Sequence, residues 1–223
     1  MAHAPVRLMR AVALLAILPL SAAQALGAAA PAVEPYRLAA TRHEIGGVDV
    51  RAYTERRAVG GPDLPLPGAA IVLVPFSDSF VAELEQIKGQ SRESLRTYRA
   101  AALAIRRREE AYERAVGEAG AADLVLSHLV GPDGRASFGE VAAGPWLLWG
   151  RHEVWNPVVA KRPKRQERQL FALGPRLVGF WAVRYWMIPV TVRASAVAAV
   201  ELTDRDVWFS GVIEETMRQD TVP

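Results

Sequence analysis

The 223-residue chain contains no cysteine, and its 27 Lys and Arg residues nearly balance its 24 Asp and Glu residues. The lack of cysteine excludes disulfides, thiolate catalysis, iron–sulfur clusters and cysteine-based zinc sites. Arg7 and Arg10 lie in a predicted signal peptide, and the remaining 25 basic and 24 acidic residues give no charge argument for a nucleic-acid partner.

The first 25 residues are organised like a secretory signal peptide. The two arginines precede an apolar run, and Ala23-Gln24-Ala25 is a small-x-small cleavage site. The apolar run is shorter than the roughly 20 residues that span a bilayer. We therefore expect cleavage after Ala25, with Ala28 and Ala30 as alternatives. The mature chain is expected to be periplasmic or secreted, without a transmembrane segment.

The residues after the cleavage site divide into a leader, one domain and a tail. Residues 26–43 begin with an Ala/Pro-rich stretch and are predicted to be a partly disordered leader. Residues 44–215 are predicted to form a single domain, and 216–223 a tail. A mature chain of this size can bury a sizeable core without disulfides.

Two segments near the start of the domain have the character of strands. Apolar and polar residues alternate from Ile45 to Tyr53, which is the period of a half-buried strand. Residues 60–68 are rich in Gly and Pro and cannot be helical. The apolar, β-branched run from Ala69 to Pro75 is typical of a buried strand.

The period then changes to that of a helix. Apolar residues recur mostly every three, four or seven positions, which predicts a long amphipathic helix or helical hairpin inserted at about 79–119, with Gly89 as the break. The charged run from Arg106 to Glu110 is expected to lie on its solvated face. The predicted apolar face consists of Leu84, Ile87, Leu95, Tyr98, Ala102, Ile105, Tyr112 and Val116.

The second half of the chain returns to strand and turn signals. Pro132-Asp133-Gly134 is a turn sequence between two strands, and Gly144-Pro145 precedes another apolar strand. Residues 156–168 are predicted to be a basic loop. Residues 180–192 are predicted to be a strand in which Pro189 marks an edge or a break. Residues 196–202 and 207–213 complete about seven strands, so we predict a mainly β, antiparallel sandwich with one helical insertion.

Three segments resemble carboxypeptidase regulatory-like domains. These are LPLPGAAIVLVP (64–75), GPDGRASFGEVAAGPWLL (131–148), and RYWMIPVTV (184–192) followed by VAAVELTD (197–204). The resemblance implies a seven-stranded, transthyretin-like (prealbumin-like) sandwich that serves as a binding or accessory module without catalysis of its own. The helical insertion departs from the short connection of that family.

The tryptophans and the basic loop provide the candidate binding surface. All six tryptophans lie in the second half of the chain, and the basic loop could contact an anionic envelope surface. The alternatives are that the tryptophans form the core beneath the inserted helix and that the loop is merely solvated. The candidate surface comprises Trp149, Trp155, Lys161, Arg162, Lys164, Arg165, Trp181 and Tyr185.

No catalytic, cofactor-binding or metal-binding residues are predicted. Ser127 and His128 are adjacent and would point to opposite faces of a strand, and no nucleophile elbow is present. The leading hypothesis is a periplasmic, non-enzymatic module that binds an envelope protein or polysaccharide. One alternative is carbohydrate binding by the Trp-rich half. Another is a hydrolase or metal enzyme on the same scaffold, which would need His128 or His152 to meet carboxylates in a pocket.

Overall fold

The computed structural model describes residues 32–55, 62–158 and 176–217. The predicted signal peptide, most of the predicted basic loop and residues 218–223 lie outside these ranges. Three helices, a 3₁₀ turn at Ala122–Leu124 and nine strands are present in the described ranges. The helices are α1 (Glu34–Thr41), α2 (Asp78–Gln90) and α3 (Leu95–Glu118), and the strands are β1 (Ile45–Thr54), β2 (Leu64–Pro65), β3 (Ala70–Pro75), β4 (Leu126–Leu129), β5 (Arg135–Ala142), β6 (Gly144–Pro157), β7 (Arg176–Val192), β8 (Val197–Leu202) and β9 (Phe209–Met217).

The strands form two sheets that pack face to face. In the four-stranded sheet, β1 pairs with β2, β5 and β8, whereas the five-stranded sheet has the order β4-β3-β6-β7-β9. All pairs are antiparallel except β1 with β8, which is parallel. The predicted mainly β sandwich with a helical insertion is confirmed, and β2 is a short strand that the sequence did not predict.

The alternation in β1 corresponds to one buried and one exposed face. Val48, Val50 and Ala52 are fully buried between the sheets, whereas Asp49 and Arg51 are exposed. Between β4 and β5, Gly134 has a φ of +77°, which favours glycine, and the Asp133 carboxylate accepts a hydrogen bond from the Arg135 backbone N–H at 3.2 Å. The turn predicted at Pro132-Asp133-Gly134 is therefore confirmed.

Both faces of the five-stranded sheet are covered along most of β6. The side chains of Trp146 and Leu148 share a face with Gly150, whose α-carbon lies close to Leu202 of the other sheet. Leu147 and Trp149 point to the opposite face, which is covered by α3. Two covered faces explain why the strand is continuously apolar from Trp146 to Trp149.

The covering layer is the helical hairpin that the sequence predicts. The Ser77 hydroxyl accepts a hydrogen bond from the Phe80 backbone N–H at the start of α2, and Ser94 and Thr97 form a reciprocal capping box at the start of α3. The break follows Gly89 by a few residues. None of the helices in the described ranges is long and apolar enough to cross a membrane.

Three positions on α3 correct the predicted helix faces. Leu95 is 65% exposed and Tyr98 is 37% exposed, because burial of this helix begins only at Ala101, one and a half turns from its start. Glu109, predicted to be solvated with the rest of its charged run, is only 5% exposed. It follows Ile105 by four residues and precedes Tyr112 by three, which places it on the sheet-facing side.

Part of the predicted leader belongs to the fold. Residues 34–41 form α1, and the Tyr36 ring packs edge-on against Trp146 with ring centroids 4.8 Å apart. The Tyr36 hydroxyl donates to the Pro145 carbonyl and accepts a hydrogen bond from the Phe76 backbone N–H at 3.0 Å. The prediction of a leader through residue 43 is therefore corrected, because the buried ring of Tyr36 fixes α1 to the sheet.

Strand β7 runs unbroken for 17 residues, so the predicted break at Pro189 is wrong. The alternative prediction of an edge is confirmed: β9 pairs only with Arg176–Tyr185, and Pro189 lies in the half of β7 paired with β6 alone. Residues 156 and 157, predicted to begin the basic loop, instead complete β6.

Candidate functional site

Two members of the predicted binding surface are core residues. Trp149 is 1% exposed and Tyr185 is fully buried, with ring centroids 5.3 Å apart beneath α3. The Tyr185 hydroxyl donates to the Ala102 carbonyl of α3 at 3.1 Å. Their prediction as surface residues is wrong, and the alternative that they form the core beneath the inserted helix is confirmed.

Trp155 and Trp181 are brought together at the far end of the same sheet face. They lie directly opposite each other on β6 and β7, with ring centroids 5.2 Å apart and planes tilted by 52°. Both side chains are half-buried. We call these two residues the Trp155–Trp181 pair, and they are the two tryptophans of the predicted surface that stay partly exposed in the described residues.

A carboxylate and a glycine hold this pair in place. The Trp181 Nε1–H donates to the Glu215 carboxylate of β9 at 2.8 Å. The Trp155 ring lies over Gly179, where a β-carbon would fall 2.2 Å from two of the ring carbons. The sequence analysis missed both supporting residues. Gly179 precedes Trp181 by two positions and so shares its strand face, which is the signal that could have identified it.

The four basic members of the predicted surface lie outside the described residues. Lys161, Arg162, Lys164 and Arg165 fall within residues 159–175. Their predicted contact with an anionic surface therefore stays a prediction.

The histidines considered for catalysis are separated in the fold. His128 lies exposed on the edge strand β4, edge-on to Phe138 with ring centroids 4.9 Å apart. His152 is half-buried on β6, opposite Arg184 of β7. Burial lowers the pKa of His152, and the Arg184 guanidinium acts in the same direction. Within the described ranges, no group of three His, Asp or Glu residues is placed to hold a metal ion.

A second polar surface lies on the outer face of the four-stranded sheet. A shallow groove of about 490 Å³ is lined by Asp49, Arg51, Arg135 and Glu201, among other residues. The Arg51 guanidinium is already paired with the Asp63 carboxylate at 3.0 Å and the Glu201 carboxylate at 3.8 Å. Acidic and basic groups therefore neutralise each other across the groove, so its charge favours neither an anionic nor a cationic ligand.

The chain matches no family model and no curated protein sequence. Among solved structures, it is similar to a protein from Pseudomonas aeruginosa whose suggested role is carbohydrate binding, with 12% identity and a TM-score of 0.39 over 72% of this chain and 88% of that one. It is also similar to a minor pilin of Streptococcus agalactiae, with 10% identity and a TM-score of 0.30 over 81% of this chain and 48% of that one. Both likenesses are distant, and nothing about the ligand of the present chain follows from them. The resemblance to carboxypeptidase regulatory-like domains stays a prediction, of which the structure supports the β-sandwich.

Proposed function

We propose that the chain is a non-enzymatic, periplasmic binding module that binds an envelope polysaccharide through the Trp155–Trp181 pair. The observation that carries the proposal is the pair itself: two half-buried indoles lie side by side on adjacent strands. Complete burial would stabilise the fold more than partial exposure does, so packing of the domain alone does not explain why both indoles stay half-buried. A partly exposed aromatic cluster on a rigid sheet is typical of a contact surface.

The chemistry of the pair suits a sugar ring. The C–H groups on one face of a pyranose carry partial positive charge and pack against the electron-rich face of an indole. Sugar hydroxyls also need hydrogen-bond partners. One oxygen of the Glu215 carboxylate accepts from Trp181, and a carboxylate has further lone pairs that a hydroxyl can reach.

Binding of a partner protein through the inserted helix has less support. The apolar residues of α3 that could dock a partner, including Ala102, Ile105, Tyr112 and Val116, are buried against the sheet. What α3 exposes is mainly charged. The helix therefore completes the core of this domain, and the Trp155–Trp181 pair is the better candidate for recognition.

The proposal is tested by sedimentation of the purified chain with peptidoglycan sacculi, and by titration with soluble hexasaccharides of β-1,4-linked glucose and β-1,4-linked N-acetylglucosamine. We expect binding to at least one of these saccharides and a loss of at least tenfold in affinity on Trp181→Ala. Trp208→Ala is the matched control, since Trp208 is also half-buried but lies beside α2, where its Nε1–H donates to Glu85. No binding to any of the three probes, or equal losses from the two substitutions, would overturn the proposal.

A further inference from the structure

A carboxylate is buried between α3 and the five-stranded sheet. Glu109 is only 5% exposed, and its Oε2 atom has no hydrogen-bond partner in the described part of the chain. The nearest cation is the guanidinium of Arg151 on β6, with Nη1 at 3.6 Å from Oε2. That separation permits electrostatic attraction but exceeds hydrogen-bond distance. The Trp149 Nε1 atom beneath α3 is also buried and has no acceptor within hydrogen-bond distance, although its N–H lies close enough to the Glu109 carboxylate to favour the charged form.

The Arg151 guanidinium is shared with another carboxylate. The Arg151 Nε atom lies 3.3 Å from Glu153 Oε1, and Arg106 of α3 lies 3.9 Å from the same oxygen. Arg151 therefore compensates only part of the cost of burying a charged Glu109.

No other packed element supplies a further cation to Glu109 in the described ranges. The acidic neighbours on α3, Glu110 and Glu113, both disfavour a negative charge on Glu109, and Arg106 of the same helix is directed to Glu110 and Glu153. Strand β7 contributes Tyr185, whose hydroxyl is committed to the Ala102 carbonyl. The residues that β3 and β9 direct to this face near Glu109 are apolar, namely Val72, Val74, Phe209, Gly211 and Ile213, whereas Glu215 of β9 lies at the far end of the face beside Trp181.

Burial is the dominant influence on the protonation of Glu109. It raises the pKa of Glu109 to about 7, against opposing effects of Arg151 and Trp149 and with a smaller contribution from Glu113 in the same direction. The carboxyl group therefore changes charge near neutral pH while it lies under the helix. In an open state with Glu109 in water, its pKa would return to the ordinary value of 4.5.

Because Glu109 lies on the sheet-facing side of α3, its ionisation affects the packing of this helix on the sheet. The two sheets have their own core between them, which includes Trp146, Leu148 and Trp186, and α3 adds a third layer outside it. We propose that α3 is a pH-sensitive cover, seated on the sheet while Glu109 is protonated and loosened when Glu109 ionises, so that the aromatic face of Trp149 and Tyr185 becomes accessible. Because the sandwich core does not depend on Glu109, the loosening is local to the helical layer.

Amide hydrogen exchange of the full chain at pH 5 and pH 8, corrected for the intrinsic rates, tests this proposal. Linkage between the two pKa values predicts that the protection of residues 101–116 falls about 70-fold from pH 5 to pH 8. Global unfolding also exposes Glu109, so protection in β1 and β8 can fall as well, but at pH 8 residues 101–116 should be far less protected than these strands because α3 opens while the sandwich stays folded. Equal protection of α3 and of β1 and β8 at pH 8, or no fall in α3, would overturn the proposal.

Two variants identify the group that is responsible for the pH dependence of amide protection in α3. Glu109→Gln keeps the shape of the side chain without a titratable proton, and it should remove most of the pH dependence of α3 protection, leaving the part that comes from Glu113, whose pKa is also raised by burial. Glu110→Gln is the matched control, because Glu110 is exposed and its ion pair with Arg106, at 3.2 Å, lies at the surface. It should leave the 70-fold response largely intact, and a 70-fold response that survives Glu109→Gln would contradict the proposal. If Glu109→Gln fails to fold, the carboxyl ¹³C titration of wild-type Glu109 is compared with the pH profile of α3 exchange: coinciding midpoints near 7 support the cover, and a Glu109 midpoint near 4.5 or an α3 profile that does not follow the titration overturns it.

Discussion

The indole ring of Trp155 lies directly over the α-carbon of Gly179 on the neighbouring strand. A side chain at Gly179 would occupy the space that the ring fills. Because Gly179 has no side chain, the Trp155 ring can pack against the backbone there and lie beside Trp181. The orientation of the proposed binding surface depends on the absence of a β-carbon at this one position.

Gly179→Ala should therefore displace Trp155 without removing any aromatic group. The added methyl group would lie 2.2 Å from two ring carbons and 2.9 Å from the Asn156 carbonyl oxygen. We expect overpacking to reduce the free energy of unfolding by about 1–3 kcal/mol, and saccharide affinity to fall together with it. Urea denaturation and calorimetric titration measure the two effects.

Gly139→Ala is the control for this substitution. Gly139 also lies in a strand, and a β-carbon there would meet no atom within 4 Å. Its effect on stability should stay within about 0.5 kcal/mol. If Gly179→Ala is as mild as Gly139→Ala, the contact between Trp155 and Gly179 does not constrain the surface.

Tyr36→Phe tests whether α1 is part of the folded domain. The substitution removes a hydroxyl that donates to the Pro145 carbonyl and accepts from the Phe76 N–H, while these two backbone groups keep their mutual hydrogen bond at 3.2 Å. Because neither group is left unpaired, we expect a loss of about 0.5–1.5 kcal/mol in the free energy of unfolding. Tyr98→Phe, at an exposed ring, should change stability by less than about 0.5 kcal/mol. Equal effects of the two substitutions would mean that α1 does not stabilise the domain.

Ile105→Ala tests whether the inserted helix belongs to the core. Ile105 is fully buried against the sheet, so its truncation should cost about 2–5 kcal/mol. Leu95→Ala, on the exposed first turn of the same helix, should cost less than about 0.5 kcal/mol despite its place in the predicted apolar stripe. Thermal or urea unfolding of the two variants gives the comparison. A large cost at Leu95 would show that the first turn packs against something further.

The raised pKa of Glu109 also predicts how overall stability depends on pH. The folded chain holds the proton up to about pH 7, whereas the unfolded chain releases it near 4.5. The stabilisation from this group is therefore fully present below pH 4.5 and is lost as the pH rises to 7. Between pH 5 and pH 8 the loss amounts to about 2.5 kcal/mol. In urea unfolding across this range, the free energy of unfolding should decline with pH more steeply in wild type than in Glu109→Gln, and the difference between the two declines should be about 2.5 kcal/mol.

Strands with one exposed face could be predicted well from the sequence, and strands with two covered faces only in part. Val48 and Val50 alternate with polar residues, so the buried face of β1 is evident from its period. Trp149 and Trp155 lie on the same face of β6, since six positions separate them. Alternation cannot show that α3 covers the first and leaves the second half-exposed. That difference depends on where the helix crosses the sheet, which is a tertiary property.

The same limit applies to Glu109. A charged run of five residues on an amphipathic helix favours a solvated face. Burial of its fourth member follows from the seating of α3 on β6 and from the presence of Arg151 there, neither of which is visible in local spacing. The functional candidates that the sequence missed, Gly179, Glu215 and Glu109, all acquire their roles through contacts between distant segments.

The central claim is that the Trp155–Trp181 pair is the ligand surface. It is tested most directly by following the six tryptophan indole N–H signals in ¹H–¹⁵N spectra of the full chain during titration with the tightest-binding saccharide of the panel, after assignment by single Trp→Phe substitutions. We predict that the signals of Trp155 and Trp181 shift with saturation, while those of the buried Trp146, Trp149 and Trp186 stay in place. Saturable binding that leaves the signals of Trp155 and Trp181 unmoved would contradict the account.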